Sequence, residues 1–265
     1  MCVVRGGGDL ATGVVWRLHR AEFRVLVTEL PAPLTVRRTV ALSTAVTDGT
    51  VAVEGLVGRR VATVDAALAV LADRSCSEVP VLVSPDLPAL TGDGPSIVVD
   101  ARLAKRNLDT TIDDAPLVIA LGPGFTAGVD CDAVIETERG HRLGRALWTG
   151  SAAADTGTPG PVGGRAAERV LRAPTAGAVS WQVAIGDRVT TGSTLGWVGD
   201  RAVVAPFDGL VRGAIRPGAE VIAGLKIGDV DPRTDLDCNE ISDKALAVGG
   251  GALEAAMTWL GRAVR

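Results

Sequence analysis

Short apolar runs that stop at glycine or at an acidic residue recur through the first part of the chain. Residues 1–5, 24–28, 51–53, 79–83, 97–99, Leu117–Leu121 and Ala133–Ile135 are dominated by valine, leucine, isoleucine and alanine, and have the length of buried strands. Between several of them the apolar positions fall at intervals of three and four. Leu10, Val14, Val15 and Leu18 mark the inner face of one helix, and residues 64–71 carry another helical pattern. Strands alternating with helices predict an α/β fold, with a Rossmann-like, mainly parallel sheet over residues 1–150.

The pattern then changes. Residues 151–164 (SAAADTGTPGPVGG) are small and rich in glycine and proline, as expected of a linker or of a lid that folds over a site. Beyond them Ala173, Pro174, Gly177 and Val179 recur as Ala205, Pro206, Gly209 and Val211, each 32 residues on. Gly186, Val189 and Gly192 recur at the same offset as Gly218, Val221 and Gly224, and Leu195 as Ile227. Short β-segments with glycine at each turn, given twice, predict two interlocked halves of a small all-β domain over residues 165–232. The repeat resembles the biotinyl/lipoyl-type barrel-sandwich hybrid, whose members carry a prosthetic group on a lysine in the hairpin between the halves. Here Val198, Gly199, Asp200 and Arg201 occupy that joint, so the resemblance implies a module for interaction or for covering the first domain, not a covalent carrier. Residues 233–265 end in a helix with Leu253, Ala256, Met257, Leu260 and Val264 along one face, which predicts packing on a domain.

Length and composition fit this division. A chain of 265 residues, 47% hydrophobic and 22% charged, is large enough for about two domains with real cores. The net charge of −4 excludes a broad basic field for nucleic acid or an anionic membrane. No apolar run approaches the ~20 residues of a spanning helix, and the strand-like start leaves no room for a signal peptide. Cys2, Cys76, Cys131 and Cys238 are scattered, with no CxxC pair. The expectation is a reduced, cytoplasmic setting without a resident metal site.

Residues 3–13 (VVRGGGDLATG) join the first strand to the first helix. Gly6, Gly8 and Ala11 fit the GxGxxG/A form, and Glu29 lies 21 residues beyond Gly8, about where an acidic residue receives ribose hydroxyls. Glycines let the backbone approach a phosphate, and the helix N-terminus presents free N–H groups and positive dipole. Asp9 is discordant, because a carboxylate there repels phosphate unless it bonds a hydroxyl or caps the helix. A tight βα turn with no ligand is the plain alternative. Residues 100–107 carry Asp100, Lys105 and Asn107 out of the strand at Ile97. Lys105 fits a phosphate or carboxylate contact, and equally a solvated helix face.

The densest chemistry lies in residues 117–145 (LVIALGPGFTAGVDCDAVIETERGHRLGR). The apolar run breaks at Gly122, Pro123 and Gly124, and Asp130, Cys131, Asp132, Glu136, Glu138, Arg139 and His141 follow. An open α/β sheet presents a site in this way, at the ends of its strands. Each of these residues alone fits a solvated surface; their clustering points to a site. Cys238 is a candidate thiolate nucleophile, with an inert small hydrophobe as the alternative.

The segments GGGDLATGVVWRL, VVDARLAKRN, residues 117–145 and ISDKALAVGGGALEA together resemble the YqeB-type accessory proteins of selenium-dependent molybdenum hydroxylase systems. That family is itself likened to the XdhC/CoxI maturation factors. The resemblance implies binding of molybdenum cofactor, as pyranopterin or its dinucleotide, and help in its selenium or sulfur modification or delivery. Implied partners are a molybdenum hydroxylase client and a selenium- or sulfur-donating protein, and a homo-oligomer is compatible with the reading. The matched motif positions are Gly6, Gly8, Asp9, Gly13, Asp100, Lys105, Gly122, Gly124, Asp130, Asp132, Glu136, Arg139 and His141. Cofactor phosphate would lie on residues 6–13, while Asp130, Asp132 or Glu136 would accept pterin N–H groups. His141 would shuttle a proton during exchange of the terminal oxo ligand, with Asp130 as a second candidate for catalysis.

Two other classes remain open. An NAD(P)-dependent oxidoreductase would use the same glycine loop, Glu29 favouring NAD, with His141 as proton donor. A non-enzymatic protein would dock a hydroxylase through the repeat and sense nucleotide through the first domain.

Overall fold

A computed structural model describes residues 1–73, 77–90, 94–157, 160 and 162–263, so Cys76 and Val264 lie outside the described residues. The chain divides into two compact units. Unit 1 comprises Met1–Pro33, Ala41–Asp155 and Ile241–Arg265, and unit 2 comprises Leu34–Val40 and Thr156–Glu240.

Unit 1 is a mixed α/β structure. In chain order it contains β1 (Cys2–Arg5), α1 (Asp9–Arg20), β2 (Val25–Glu29), α2 (Ala45–Asp48), β3 (Thr50–Val53), β4 (Leu56–Val61) and α3 (Val64–Ala72). There follow β5 (Glu78–Val83), β6 (Ile97–Asp100), β7 (Leu117–Leu121), β8 (Thr126–Ala127), β9 (Ala133–Ile135), β10 (Ala146–Leu147) and β11 (Gly150–Ser151). Nine of these strands form one sheet in the order β10-β9-β7-β6-β1-β2-β5-β4-β3. All neighbours from β9 to β4 are parallel, and only the outermost pairs are antiparallel.

The continuous apolar runs follow from burial on both faces of a parallel sheet. Along β7, Leu117, Ile119 and Leu121 enter one core with Val14, Leu18, Val248 and Ala252. Val118 and Ala120 point the other way, into a core with Phe125, Cys131 and Val134. Each such side chain contributes roughly 1.5–3 kcal/mol when removed from water. The C-terminal helix α4 (Asp243–Ala263) belongs to this unit and packs along α1. At α3 the Thr63 side chain accepts the Ala66 N–H at 3.1 Å, satisfying one of the helix's free donors. No helix among the described residues is long and apolar enough to cross a membrane.

Unit 2 holds β12 (Val170–Arg172), β13 (Gly177–Trp181), β14 (Arg188–Val189), β15 (Thr194–Val198), β16 (Arg201–Val204), β17 (Gly209–Ala214), β18 (Glu220–Val221) and β19 (Lys226–Asp231). They form two four-stranded antiparallel sheets, β12-β19-β17-β14 and β16-β15-β13-β18. The 32-residue repeat maps β13 onto β17, β14 onto β18 and β15 onto β19. Each sheet therefore takes strands from both copies. The repeated pairs Val179 and Val211, Val189 and Val221, and Leu195 and Ile227 are all buried in one core.

Residues 34–40 join this unit, Ala214 donating its N–H to the Val36 carbonyl at 2.9 Å. The sheets also enclose an ionic cluster. Arg169 donates to Asp229 at 3.1 Å, Arg233 to Asp231 at 2.9 Å, and Arg212 lies 3.7–3.8 Å from both carboxylates.

Candidate functional site

Parallel strands release the residues that follow them along one edge of the sheet. In unit 1 the order reverses at β1: β2 and β5 lie on one side, and β6, β7 and β9 on the other. Such a reversal is where an open α/β sheet opens a crevice at its carboxyl ends. The segments emerging there are residues 6–9, 101–107, 122–124 and 136–140, and they contain most of the residues singled out in the sequence.

The glycine loop after β1 is pinned on one side and open on the other. Gly7 N–H donates to Glu29 Oε2 at 2.8 Å, and Leu30 N–H donates to Glu29 Oε1 at 2.7 Å. Ser43 N–H donates to the Gly7 carbonyl at 2.8 Å, and Thr12 Oγ1 to the Gly8 carbonyl at 2.9 Å. Gly8 ends this loop ahead of α1, and a Cβ built on it meets nothing within 4 Å. Glu29 thus fastens the loop, and a ribose hydroxyl would share a carboxylate already in use.

Beyond β6 the polar groups are interlinked. Asp100, 1% exposed, accepts from Arg102 at 2.6 Å and from Thr110 Oγ1 at 2.6 Å. Arg5, equally buried, donates to Thr110 Oγ1 at 3.0 Å and to Asp109 at 2.9 Å. Burial alone would raise the Asp109 carboxyl, but hydrogen bonds from Arg102 and Arg5 hold it below the usual carboxylate range. The loop then passes through two left-handed non-glycine residues, Leu103 (φ 53°) and Lys105 (φ 65°). Strain of this kind gathers at functional sites and persists because its surroundings enforce it. Gly124 (φ 101°) supplies part of the enforcement, since any side chain there would overlap the Arg106 backbone. Lys105 Nζ pairs with Asp155 at 2.9 Å.

Glu136 follows β9 and is 1% exposed. It accepts the Glu138 N–H and the Ala153 N–H, each at 2.8 Å. It therefore ties residues 152–155 back to the strand-end edge that Lys105 holds through Asp155. Arg139 makes a bidentate pair with Asp243, at 2.7 and 2.9 Å. That pair brings the start of α4 to the same edge, with Lys244 in the fields of Arg139, Asp9, Lys105 and Glu136. Burial pushes the Lys244 ammonium below the ordinary lysine value; Arg139 and Lys105 add to the shift, while Asp9 and Glu136 oppose it.

The remaining residues lie elsewhere or serve the framework. Gly13 is buried against α4. Gly122 N–H donates to the Ile135 carbonyl at 2.9 Å. Asp130 accepts from Thr126 N–H at 2.7 Å and Asn107 Nδ2 at 3.1 Å. Asp132 precedes β9 and accepts the Val118 N–H at 2.7 Å, at the opposite ends of the strands from Gly8. His141 is exposed in the turn after β9. Cys238 belongs to unit 2, where it is 5% exposed and its thiol is pushed up by burial, the reverse of what a thiolate nucleophile requires.

Sequence reasoning passed over Arg5, Arg102, Asp109 and Thr110. It named Lys244 as one of three lysines and within the tail motif, without giving it a role. Among the described residues no group of three or more His, Cys, Asp or Glu side chains is placed to hold a metal ion.

No family model matches the chain. It is 47% identical over its whole length to the uncharacterized protein YqeB of Escherichia coli (strain K12), and it spans 49% of that protein. The resemblance to YqeB is thus supported along the entire chain, while the chain covers about half of its relative. Among solved structures, a succinylglutamate desuccinylase/aspartoacylase from Rhodobacter sphaeroides is 28% identical, with 25% of this chain and 22% of that one covered and a TM-score of 0.23. An aspartoacylase family protein from Mesorhizobium loti is 16% identical, with 25% and 24% covered and the same TM-score of 0.23. Likenesses this partial carry no functional argument.

Proposed function

We propose that this chain is an accessory protein of a molybdenum hydroxylase, binding molybdenum cofactor and assisting its selenium or sulfur modification or its delivery. We read unit 1 as Rossmann-like and unit 2 as a barrel-sandwich hybrid without the carrier lysine. The observation that carries the reading is the open glycine loop at the strand-order reversal. There a Cβ built on Gly8 meets open space, at the strand-end edge from which the segments after β6 and β9 also emerge. The whole-chain similarity to YqeB supports it together with the motif resemblance.

The residues present fit the phosphate end of such a cofactor. Backbone N–H groups in the first turn of α1 would receive phosphate oxygens, and a side chain on Gly8 would occupy the open space ahead of that turn. The fit at the pterin end is narrower. The carboxylate oxygens of Glu136 already serve two backbone donors, and those of Asp130 serve Thr126 and Asn107. A pterin edge would share these acceptors through their second lone pairs. The bound cofactor supplies the metal centre whose terminal ligand is exchanged. This chain's part is to orient the cofactor at the strand-end edge, with residues 152–155 tied beside it through Glu136 and Lys105.

Unit 2 would dock the hydroxylase client or the chalcogen donor. We place the protein in the cytoplasm, where Cys2, Cys131 and Cys238 remain free thiols. Gly8→Leu tests the reading: the backbone there is ordinary (φ −66°) and the added side chain meets open space, so folding should be kept. Loss of cofactor binding with an unchanged circular dichroism spectrum is expected. Unchanged binding would remove the glycine loop from the proposal.

A further inference from the structure

Helix α4 buries its smaller residues and leaves its larger apolar ones outside. Ala245, Val248, Ala252, Ala255 and Ala256 are buried in unit 1, on the side where α1 approaches closely enough for Gly13, Ala245 and Gly249 to meet through backbone. A different stripe carries the bulk. Leu246, Gly250, Leu253, Met257 and Leu260 succeed one another at intervals of four, three, four and three, and in the sequence Val264 continues the series. Leu253 packs in part against the core, but Met257 is 53% exposed and Leu260 37%. The pattern that predicts packing on a domain is therefore answered within unit 1 only at Leu253 and Ala256. An alternation of four and three is the 3.5-residue period with which one helix packs along another. From Leu246 to Leu260 it covers 14 residue steps, about 21 Å of helix.

Charges beside the stripe identify what fits it. Glu254 is exposed and, among the described residues, makes no hydrogen bond and no ion pair. Arg262 is exposed, with its guanidinium 4.5 Å over the Trp148 ring. A stacked guanidinium keeps its in-plane N–H groups for a carboxylate. Within one helix the two residues are about 12 Å apart along the axis and do not meet. A second α4 laid antiparallel, with the two Met257 side chains together on a two-fold axis, changes this. Glu254 of each copy then lies two residues, about 3 Å along the axis, from the level of Arg262 of the other. The same register sets each Leu253 level with Gly261 of the other copy. A Cβ built on Gly261 meets nothing within 4 Å, so that glycine leaves a hole for the leucine. A parallel pair turns opposite flanks together, placing Glu254 against the apolar flank of the other copy with no cation at its level.

We infer that the outer stripe of α4 is an interface between two copies of this chain, packed antiparallel about Met257 with reciprocal Glu254–Arg262 ion pairs. The inference goes beyond the cofactor reading and does not depend on it. The interface is isologous, so each charge pair and each leucine–glycine contact is made twice. A contact along about 21 Å of helix is smaller than a standard stable interface of ~1,600 Å². The dimer should therefore dissociate on dilution.

Sedimentation velocity on the protein over a hundredfold range of concentration should show a monomer–dimer equilibrium. Met257→Glu, at an exposed position, should keep the native circular dichroism spectrum and weaken association at least tenfold. A parent protein that stays monomeric throughout would overturn the inference, and so would a folded Met257→Glu variant that dimerises like the parent. The charge pairs provide a second arm. Glu254→Arg and Arg262→Glu should each weaken self-association at least tenfold, because each homodimer then sets like charges together twice. An equimolar mixture of the two variants should associate with nearly the parent's affinity, since both contacts of the mixed dimer again join opposite charges. A mixture that associates no better than either variant alone would overturn the antiparallel pairing and with it the inference.

Discussion

Gly13 of α1 and Ala245 of α4 are in backbone contact: any side chain at Gly13 would overlap the Ala245 carbonyl. The same contact repeats one turn along α4, where a side chain at Gly249 would overlap the Gly13 carbonyl. This approach sets the start of α4 alongside the first turns of α1.

The first prediction follows from that contact. Replacing a helical glycine by alanine ordinarily stabilises by about 1 kcal/mol. At Gly13 the overlap is with backbone, which cannot rotate away, so Gly13→Ala should instead destabilise by about 1–3 kcal/mol. Gly250 lies in the same helix with nothing within 4 Å of its Cβ position, and Gly250→Ala should be neutral or stabilising. Urea unfolding of both variants gives the comparison, and stabilisation by Gly13→Ala would refute the packing account.

Glu136 organises two distant segments through one buried carboxylate. Glu136→Gln removes the charge that strengthens both hydrogen bonds and turns an acceptor oxygen into a donor facing a donor. A loss of about 1–3 kcal/mol is expected. Amide hydrogen exchange should quicken at Glu138 and Ala153 first. Protection unchanged at both amides would show that Glu136 does not hold residues 152–155.

In the ionic cluster of unit 2, burial would raise the Asp231 carboxyl, but hydrogen bonds from Arg233 and the charge of Arg169 hold it below the usual range. A carboxyl depressed in the folded state gives stability that is present above its unfolded value and lost as the pH falls through the folded one. Asp231→Asn should therefore reduce the acid sensitivity of unit 2 while lowering its stability near neutral pH. It leaves Arg169, Arg212 and Arg233 short of counter-charge, at a cost of about 3–5 kcal/mol. Unchanged stability at pH 7 would contradict this.

Cys2 and Cys131 carry thiols pushed up by burial from the ordinary 9.0 to about 12, with Asp130, Asp132 and Asp100 adding to the shift at Cys131. Raised thiols favour folding fully below pH 9.0, and that contribution is lost as the pH rises towards about 12. The slope is about 1.4 kcal/mol per pH unit for each ionising thiol. Native protein at pH 8 should leave both thiols unmodified by iodoacetamide and release them on unfolding. Prompt alkylation of Cys131 in the native state would be inconsistent with its burial.

Legibility from sequence followed the physics of burial. Leu117–Leu121 and Ala133–Ile135 show themselves because a central parallel strand is apolar on both faces. Leu56–Val61 does not, because Arg59 and Arg60 are exposed and break the run. The repeat in unit 2 is plain because paired positions such as Leu195 and Ile227 must fill one core. The place of residues 34–40 in that unit is not, since it depends on a backbone bond between Val36 and Ala214 that no composition marks. At the site, glycines and charges on the strand-end segments could be read. Whether a carboxylate stands free could not: Glu136 is bound to an amide 17 residues away, and the start of α4 reaches this edge through the helix contact at Gly13 and the Arg139–Asp243 pair.

The most direct measurement is anaerobic purification of the protein followed by oxidation and detection of bound pterin by fluorescence, with molybdenum cofactor and NAD(H) compared as ligands. The account predicts stoichiometric pterin in the parent protein and its loss in folded Gly8→Leu. Binding of NAD(H) with no pterin retained would contradict it and turn the glycine loop into a nicotinamide nucleotide site.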